Sequence, residues 1–291
     1  MQKLYGSKEK GLGLPIRERV FYIALVMVGF FLISSASSDL IAEGREYTAA
    51  YSEYEQLRES YPVITTYRPT APKLPMSNGT GNDMTIQSTA RDSELTIDTE
   101  ADLSTMPDND PQIPDSLQED LLAGLAEENP DFVGWISIEG VIDYPVVRGR
   151  DNSRYLRVTF TGQRSGSGAI FMDYRNTMGF SEPVCLLYGH NMRDGSMFAP
   201  LNRYADPAFL ADHPDITIVT SNGKVLEYRI FAAKQVYDRD ATYDLDFADA
   251  KSAAKAFSGA PEGAINFLLL STCTPSIEKS DRMLVFAALV G

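Results

Sequence analysis

The spacing of apolar residues changes character several times along this chain. Val20 to Ser38 is an uncharged run of 19 residues preceded by Lys3, Lys8, Lys10, Arg17 and Arg19. A helix of that length spans a bilayer, and the basic flank predicts a cytoplasmic N-terminus with the remainder exported. The competing reading is a cleaved signal peptide, because the strongly apolar part stops at Ile33 and the small residues Ser34-Ser35-Ala36 follow. Next, Tyr47, Tyr51, Tyr54, Leu57 and Tyr61 recur at helical spacing. They predict a stalk helix over 39–61 that packs lightly on itself or on a neighbour.

From 62 to 114 large apolar residues become scarce and Pro, Ser, Thr, Asp and Asn take over. Such a segment cannot bury enough surface to offset its ordering entropy and reads as a linker, with a flexible-coil span on the order of 40 Å. Order is expected again from 115. Ser116-Leu117-Gln118-Glu119 has a capping-box pattern, and Leu121, Leu122 and Leu125 share one helical face. Eight short strand-like runs follow at 135–138, 142–147, 169–172, 184–188, 216–220, 225–233, 265–270 and 283–290. Ser221-Asn222-Gly223-Lys224 signals a hairpin. Strands of this length without alternating helices argue for a mainly β domain, a closed barrel or sandwich over 115–291, broken by one helical patch at 247–257. A chain starting near Pro114 is expected to fold alone.

Charge and cysteines narrow the function. Between Asn78 and Asp131 there are 14 acidic residues and one basic residue, Arg91, so this stretch carries nearly all of the net charge of −14. The acidic run reads as a solvated, self-repelling tether, and no basic stripe with interleaved aromatics invites nucleic acid. Of the two cysteines, Cys185 lies inside an apolar run, where strand alternation puts it on the face opposite His190 and makes it a buried core thiol. Cys273 ends Ser271-Thr272-Cys273, nine residues before Arg282, and His190 ends Tyr188-Gly189-His190. A nucleophile, a proton carrier and a fixed cation at three strand edges can activate a thiol against a carbonyl. His213 reads as a turn residue outside this set. Neither paired-Cys spacing nor an acidic calcium loop is present, so no metal or other cofactor is expected.

Seven ordered segments make the chain resemble a class B sortase, the membrane-anchored cysteine transpeptidases of Gram-positive surfaces. They are Asn129-Pro130-Asp131-Phe132-Val133-Gly134-Trp135, Ile142-Asp143-Tyr144-Pro145-Val146-Val147, Ile170-Phe171-Met172-Asp173-Tyr174-Arg175-Asn176, Tyr188-Gly189-His190-Asn191-Met192, Asp194-Gly195-Ser196-Met197-Phe198, Ser271-Thr272-Cys273 and Asp281-Arg282. One position departs from the family's Thr-Leu-x-Thr-Cys pattern: Leu269 stands where Thr is usual. The resemblance implies an eight-stranded sortase-type barrel with N-terminal helices and one helix between late strands. It also implies a retained anchor over 1–38 and an extracellular catalytic domain.

The resemblance implies catalysis by His190, Cys273 and Arg282, with Ser271, Thr272 and Asn191 as candidate substrate contacts. Asp281, Asp194 and Asp173 lie in matched segments, but spacing names none of them as a partner for His190. The implied reaction cleaves a sorting motif in a secreted protein through a Cys273 thioester and passes the acyl group to an amine of peptidoglycan precursor or of a pilin. Other cysteine peptidases fit less well: a papain-like enzyme places Cys before His, an L,D-transpeptidase places His and Gly before its Cys, and neither accounts for Arg282. The alternative from another class is an anchored surface or adhesion protein whose barrel only displays loops.

Overall fold

The computed structural model describes residues 16–61, 115–275 and 280–290. The linker over 62–114 lies outside them. Two helices lead: α1 (Ile16–Ser60) and α2 (Asp115–Glu128). Eight strands follow: β1 (Phe132–Ile138), β2 (Ile142–Val147), β3 (Ile170–Met172), β4 (Val184–Tyr188), β5 (Asp215–Thr220), β6 (Val225–Tyr237), β7 (Phe267–Cys273) and β8 (Asp281–Leu289). They close a barrel in the order β1-β2-β3-β4-β7-β8-β6-β5. Pairing is antiparallel except at β2–β3 and β4–β7, so the barrel is mixed.

Period-two alternation sorts the late strands into two faces. Cys185 and Leu187 of β4, Leu268 and Leu270 of β7, and Met283, Val285 and Ala287 of β8 join the interior cluster. Their neighbours Val184, Leu186, Phe267, Leu269, Leu284, Phe286 and Ala288 turn outward into a second cluster, which includes Ala253 and Phe257. That second cluster is roofed by the β6–β7 connection. A short helix, α3 (Pro207–Asp212), begins with Asp206 accepting from Ala208 N and Pro207 in the first turn. The helix of the β6–β7 connection, α4 (Ala250–Ala256), is started by a capping box between Asp249 and Ser252. The sequence places this helix at 247–257, and the capping box trims it to start at Ala250. The expected hairpin forms, with Gly223 N donating to Thr220 O at 2.9 Å.

Helix α1 covers β1 and β2, and α2 lies against the end of α1 and the β5–β6 hairpin, where Gln118 Nε2 donates to Gly223 O at 3.3 Å. Leu122 and Leu125 of α2 are buried there, and each fully buried Leu contributes about 1.5–3 kcal/mol. The last turns of α1 join the same core: Tyr54 and Leu57 belong to the interior cluster. Tyr61 packs against the Trp135 ring with centroids 6.5 Å apart, and Arg58 Nε donates to Asp143 O at 3.1 Å. This differs from a lightly packed stalk. Tyrosines at helical spacing meet a barrel wall that the local pattern does not reveal, and that wall supplies the burial. Helix α1 is continuous across the expected boundary between anchor and stalk.

Candidate active site

Three strand ends meet on the outer face of the barrel. In the parallel β4–β7 pair the register runs from Val184↔Phe267 to Tyr188↔Ser271, and Gly189 N continues it by donating to Ser271 O at 3.2 Å. Carried two residues further, the same offset sets His190 level with Cys273. On the other flank, Cys273 and Arg282 are direct partners in the antiparallel β7–β8 pair. Cys273 shares its parity with outward-facing Leu269, and Arg282 shares its parity with outward-facing Leu284 and Phe286. Cys273 therefore stands between the histidine and the arginine.

Local packing fixes each member. Gly189 has no room for a side chain, since a Cβ there would meet Ile170 Cδ1 at 2.5 Å and the Phe198 ring at 2.6 Å. This close approach seats the strand end against the barrel and sends His190 out of it. His190 is half-buried, its carbonyl accepts from Phe198 N at 2.9 Å, and its Nε2 lies 2.8 Å from Leu156 O. A carbonyl only accepts, so Nε2 carries the proton and Nδ1 is left as the ring's acceptor. Thus a backbone carbonyl orients His190. Asp173 and Asp194 are engaged elsewhere: Asp194 caps Ser196, and Asp173 accepts from Arg175, Asn152 and Tyr188; the main-chain carbonyl of Asp281 accepts from Arg282 Nη1 at 3.0 Å. Arg282 also stands 3.9 Å from Asp238 in a partly exposed pair, an arrangement of small energetic weight.

Around this trio lies a polar wall that residue spacing does not reveal. Tyr243, from the β6–β7 connection, hydrogen-bonds Ser271 Oγ at 2.7 Å and stacks almost parallel on Tyr188. Burial pushes the Tyr243 hydroxyl above the ordinary range, while its bond to Ser271 and the charge of Arg282 pull it back. Tyr188 in turn donates to Asp173 at 3.0 Å, and Arg175 clamps that carboxylate through Nε and Nη2 while reaching Tyr243 O. Burial alone would raise Asp173, but the donors around it outweigh burial and hold it below the usual carboxylate range. Asn202 Nδ2 donates to Cys273 O at 3.3 Å.

The remaining candidates separate. Ser271 faces the site, two residues upstream of Cys273 on the same side. Thr272 alternates to the opposite face with Leu270, and its buried Oγ1 has no hydrogen-bond partner among the described residues, so toward the outer face it offers backbone only. Asn191 bridges Met197 across the loop that follows His190. Cys185 is fully buried in the interior cluster, on the face opposite His190 as alternation predicts. His213 packs on Phe209 at the end of α3 with centroids 4.5 Å apart, outside the site. Among the described residues no three His, Cys, Asp or Glu side chains converge as a metal site requires.

A family model described as the sortase domain matches residues 136–290, more than half of the chain, and the chain belongs to the sortase family. Its relatives place it in class B. It is 27% identical over 178 residues to sortase B of Staphylococcus aureus, covering 57% of this chain and 72% of that protein. It is 46% identical over 96 residues to sortase B of Listeria monocytogenes, a match that spans 33% of this chain and 39% of that protein. Among solved structures, a mutant form of Clostridium perfringens sortase B superposes with a TM-score of 0.56 at 28% identity, covering 61% of this chain and 90% of that one. A Staphylococcus aureus sortase B–substrate complex gives 0.53 at 26% identity, covering 59% and 85%.

Proposed function

We propose that this protein is a cysteine transpeptidase that cleaves a sorting motif in exported proteins, between Thr and Gly or a similar pair, and transfers the acyl part to an amine. In this reading the Cys273 thiol gives its proton to His190 Nδ1 as its sulfur attacks the scissile carbonyl, the Arg282 guanidinium donates to the oxyanion that forms, and His190 passes that proton to the amine that departs. A thioester on Cys273 remains. The acceptor amine then attacks it, gives its proton to His190, and the sulfur leaves. The acceptor is an amine of peptidoglycan precursor or a pilin lysine. The observation that carries the reading is the register, with Cys273 paired to Arg282 on one side and level with His190 on the other, all on one face.

We place the enzyme on the outer side of the cell membrane, with residues 20–38 as a single-pass anchor and the N-terminus in the cytoplasm. Taken over the described residues alone, no helix is long and apolar enough to cross a membrane. The full 19-residue stretch lies within the continuous helix α1 and spans about 28 Å as a helix, close to the bilayer core. Phe21, Leu25, Met27, Val28, Phe30 and Phe31 are all exposed along it, an arrangement that lipid would stabilise and water would not. The test of the chemistry is mass spectrometry of the enzyme mixed with a panel of sorting peptides of Asn-Pro and Leu-Pro type. A covalent adduct on the peptide containing Cys273, released by an added amine, is the expected result. An adduct elsewhere, or peptide bound without cleavage, would replace this reading with a binding module or another peptidase.

A further inference from the structure

Helix α1 reaches the carbonyl that holds His190, and we infer that Tyr54 is a positioning residue for the reaction. The inference rests on the reading of His190 as the proton carrier. The Tyr54 hydroxyl donates to Gly168 O at 2.7 Å and accepts from Phe160 N at 3.3 Å. Its neighbour Glu53 accepts from Thr161 N at 2.9 Å. One turn of α1 thereby grips a segment that folds back on itself between 154 and 168, closed by Ser165 N donating to Arg157 O at 3.0 Å and Ala169 N to Tyr155 O at 2.9 Å.

Gly168 is the joint of this segment. Its φ of +57° is in the left-handed region, and a Cβ there would stand 2.3 Å from Tyr155 O and 3.1 Å from Leu156 O. Only a glycine lets the backbone held by Tyr54 lie directly against the Leu156 carbonyl. That carbonyl is the one that takes His190 Nε2. The path from α1 to the imidazole therefore runs from Tyr54 through Gly168 to the Leu156 carbonyl.

A second path reaches the other flank of His190 from the same residue. The Tyr54 ring stands edge-on to Tyr144 with centroids 5.3 Å apart, and the Tyr144 hydroxyl accepts from Met197 N at 3.0 Å. Met197 pairs with Asn191, and the adjacent Phe198 N closes on His190 O. Both the acceptor for the imidazole and the loop that follows it lean on Tyr54. Loosening α1 frees the Leu156 carbonyl to turn, and the ring then loses its preference for a proton on Nε2.

Nitrogen NMR of the full chain in detergent micelles, with ¹⁵N-labelled histidine, tests this directly. The chain has two histidines, and His213 serves as the reference. Tyr54→Phe keeps the ring and its packing but removes the donor to Gly168. It is expected to move His190 from the Nε2–H tautomer to a mixture, leave His213 unchanged, and lower kcat by about threefold to tenfold, the range of one net hydrogen bond, with KM within about twofold. Tyr144→Phe, which frees Met197 N, is expected to do the same to a smaller extent, and it carries the test if Tyr54→Phe does not fold. An unmoved His190 tautomer, whatever happens to Tm or kcat, overturns the inference. Activity that survives Cys273→Ala would sink the transpeptidase reading instead and leave the tautomer result standing by itself.

Discussion

Cys185 and Cys273 sit on neighbouring strands of one barrel, yet their surroundings give them opposite chemistry. Cys185 is fully buried in the interior cluster. Burial pushes its thiol far up, and the nearby Glu182 charge pushes the same way. A thiol there neither ionises nor meets a peptide. Cys273 ends β7 on the outer face, half-buried, with a cation opposite it on β8 and a histidine level with it beyond β4. What separates the two is strand parity and distance from the strand end, not residue type: odd positions of β7 look outward, and the strand end is where neighbouring loops bring polar groups.

The largest effect should come from exchanging the two thiols for methyl groups. Cys273→Ala is expected to lower kcat/KM by roughly 10⁴-fold or more, since the covalent route disappears. Cys185→Ala should hold kcat/KM within about twofold and cost only about 1 kcal/mol of stability for its small cavity. Alkylation in native buffer should modify Cys273 and reach Cys185 only on unfolding. A dead Cys185→Ala with an active Cys273→Ala would reverse the assignment.

The barrel is readable in the sequence because strand signals are local. Strand-like runs of four to nine residues closed by turn chemistry mark all eight strands, and Asn222-Gly223 marks the hairpin. The polar ends are harder. Strand β7 continues through Ser271, Thr272 and Cys273 because they pair with Leu284, Met283 and Arg282 of β8, and β6 continues to Tyr237 because its last residues pair with Leu284 back to Asp281 on the other edge of β8. A run that ends in Ser-Thr-Cys looks finished at Leu270 when its partner is not in view. Helix α3 escapes the apolar pattern because it is so short, although Asp206-Pro207 is a start signal.

In the site, His190, Cys273 and Arg282 stand out because each is a chemically distinct residue at a strand edge. What supports them does not. The partner of His190 is the Leu156 carbonyl, and a backbone acceptor leaves no mark on composition. Tyr243 and Ser271 are 28 residues apart, and Tyr54 and Gly168 are 114 apart; such pairings belong to the closed barrel and not to any window of sequence.

A middle-sized effect separates charge from geometry on the outer face. Arg282→Lys keeps a positive charge opposite Cys273 but trades a planar fork for a flexible ammonium. If Arg282 donates to the oxyanion, an aligned donor supplies about 2.7–4 kcal/mol at the transition state. The Lys variant should then lose about a hundredfold or more in kcat/KM, and Arg282→Ala more. Near-normal steady-state rates for Lys would mean that Arg282 only attracts substrate.

The smallest effect concerns how the outer face is held, since polar contacts do there what apolar packing does around Cys185. Asp173 is fully buried and accepts from Arg175 N, Nε and Nη2, from Asn152 Nδ2 and from Tyr188 Oη. Asparagine has one acceptor oxygen and would turn an NH₂ group toward these donors. Asp173→Asn should therefore cost about 1–3 kcal/mol of stability at neutral pH, with the Arg175 part reduced because that side chain is 39% exposed. The pH dependence follows from the sign of the shift. Asp173 titrates lower in the folded protein than in the unfolded chain, so its contribution is complete above about pH 4 and fades as pH falls through the folded value. Urea unfolding of both proteins should show their largest gap near pH 7 and a closing gap below about pH 4. A gap that stays constant down to strong acid would mean that the carboxylate's charge does not hold Tyr188 and the strand end before His190.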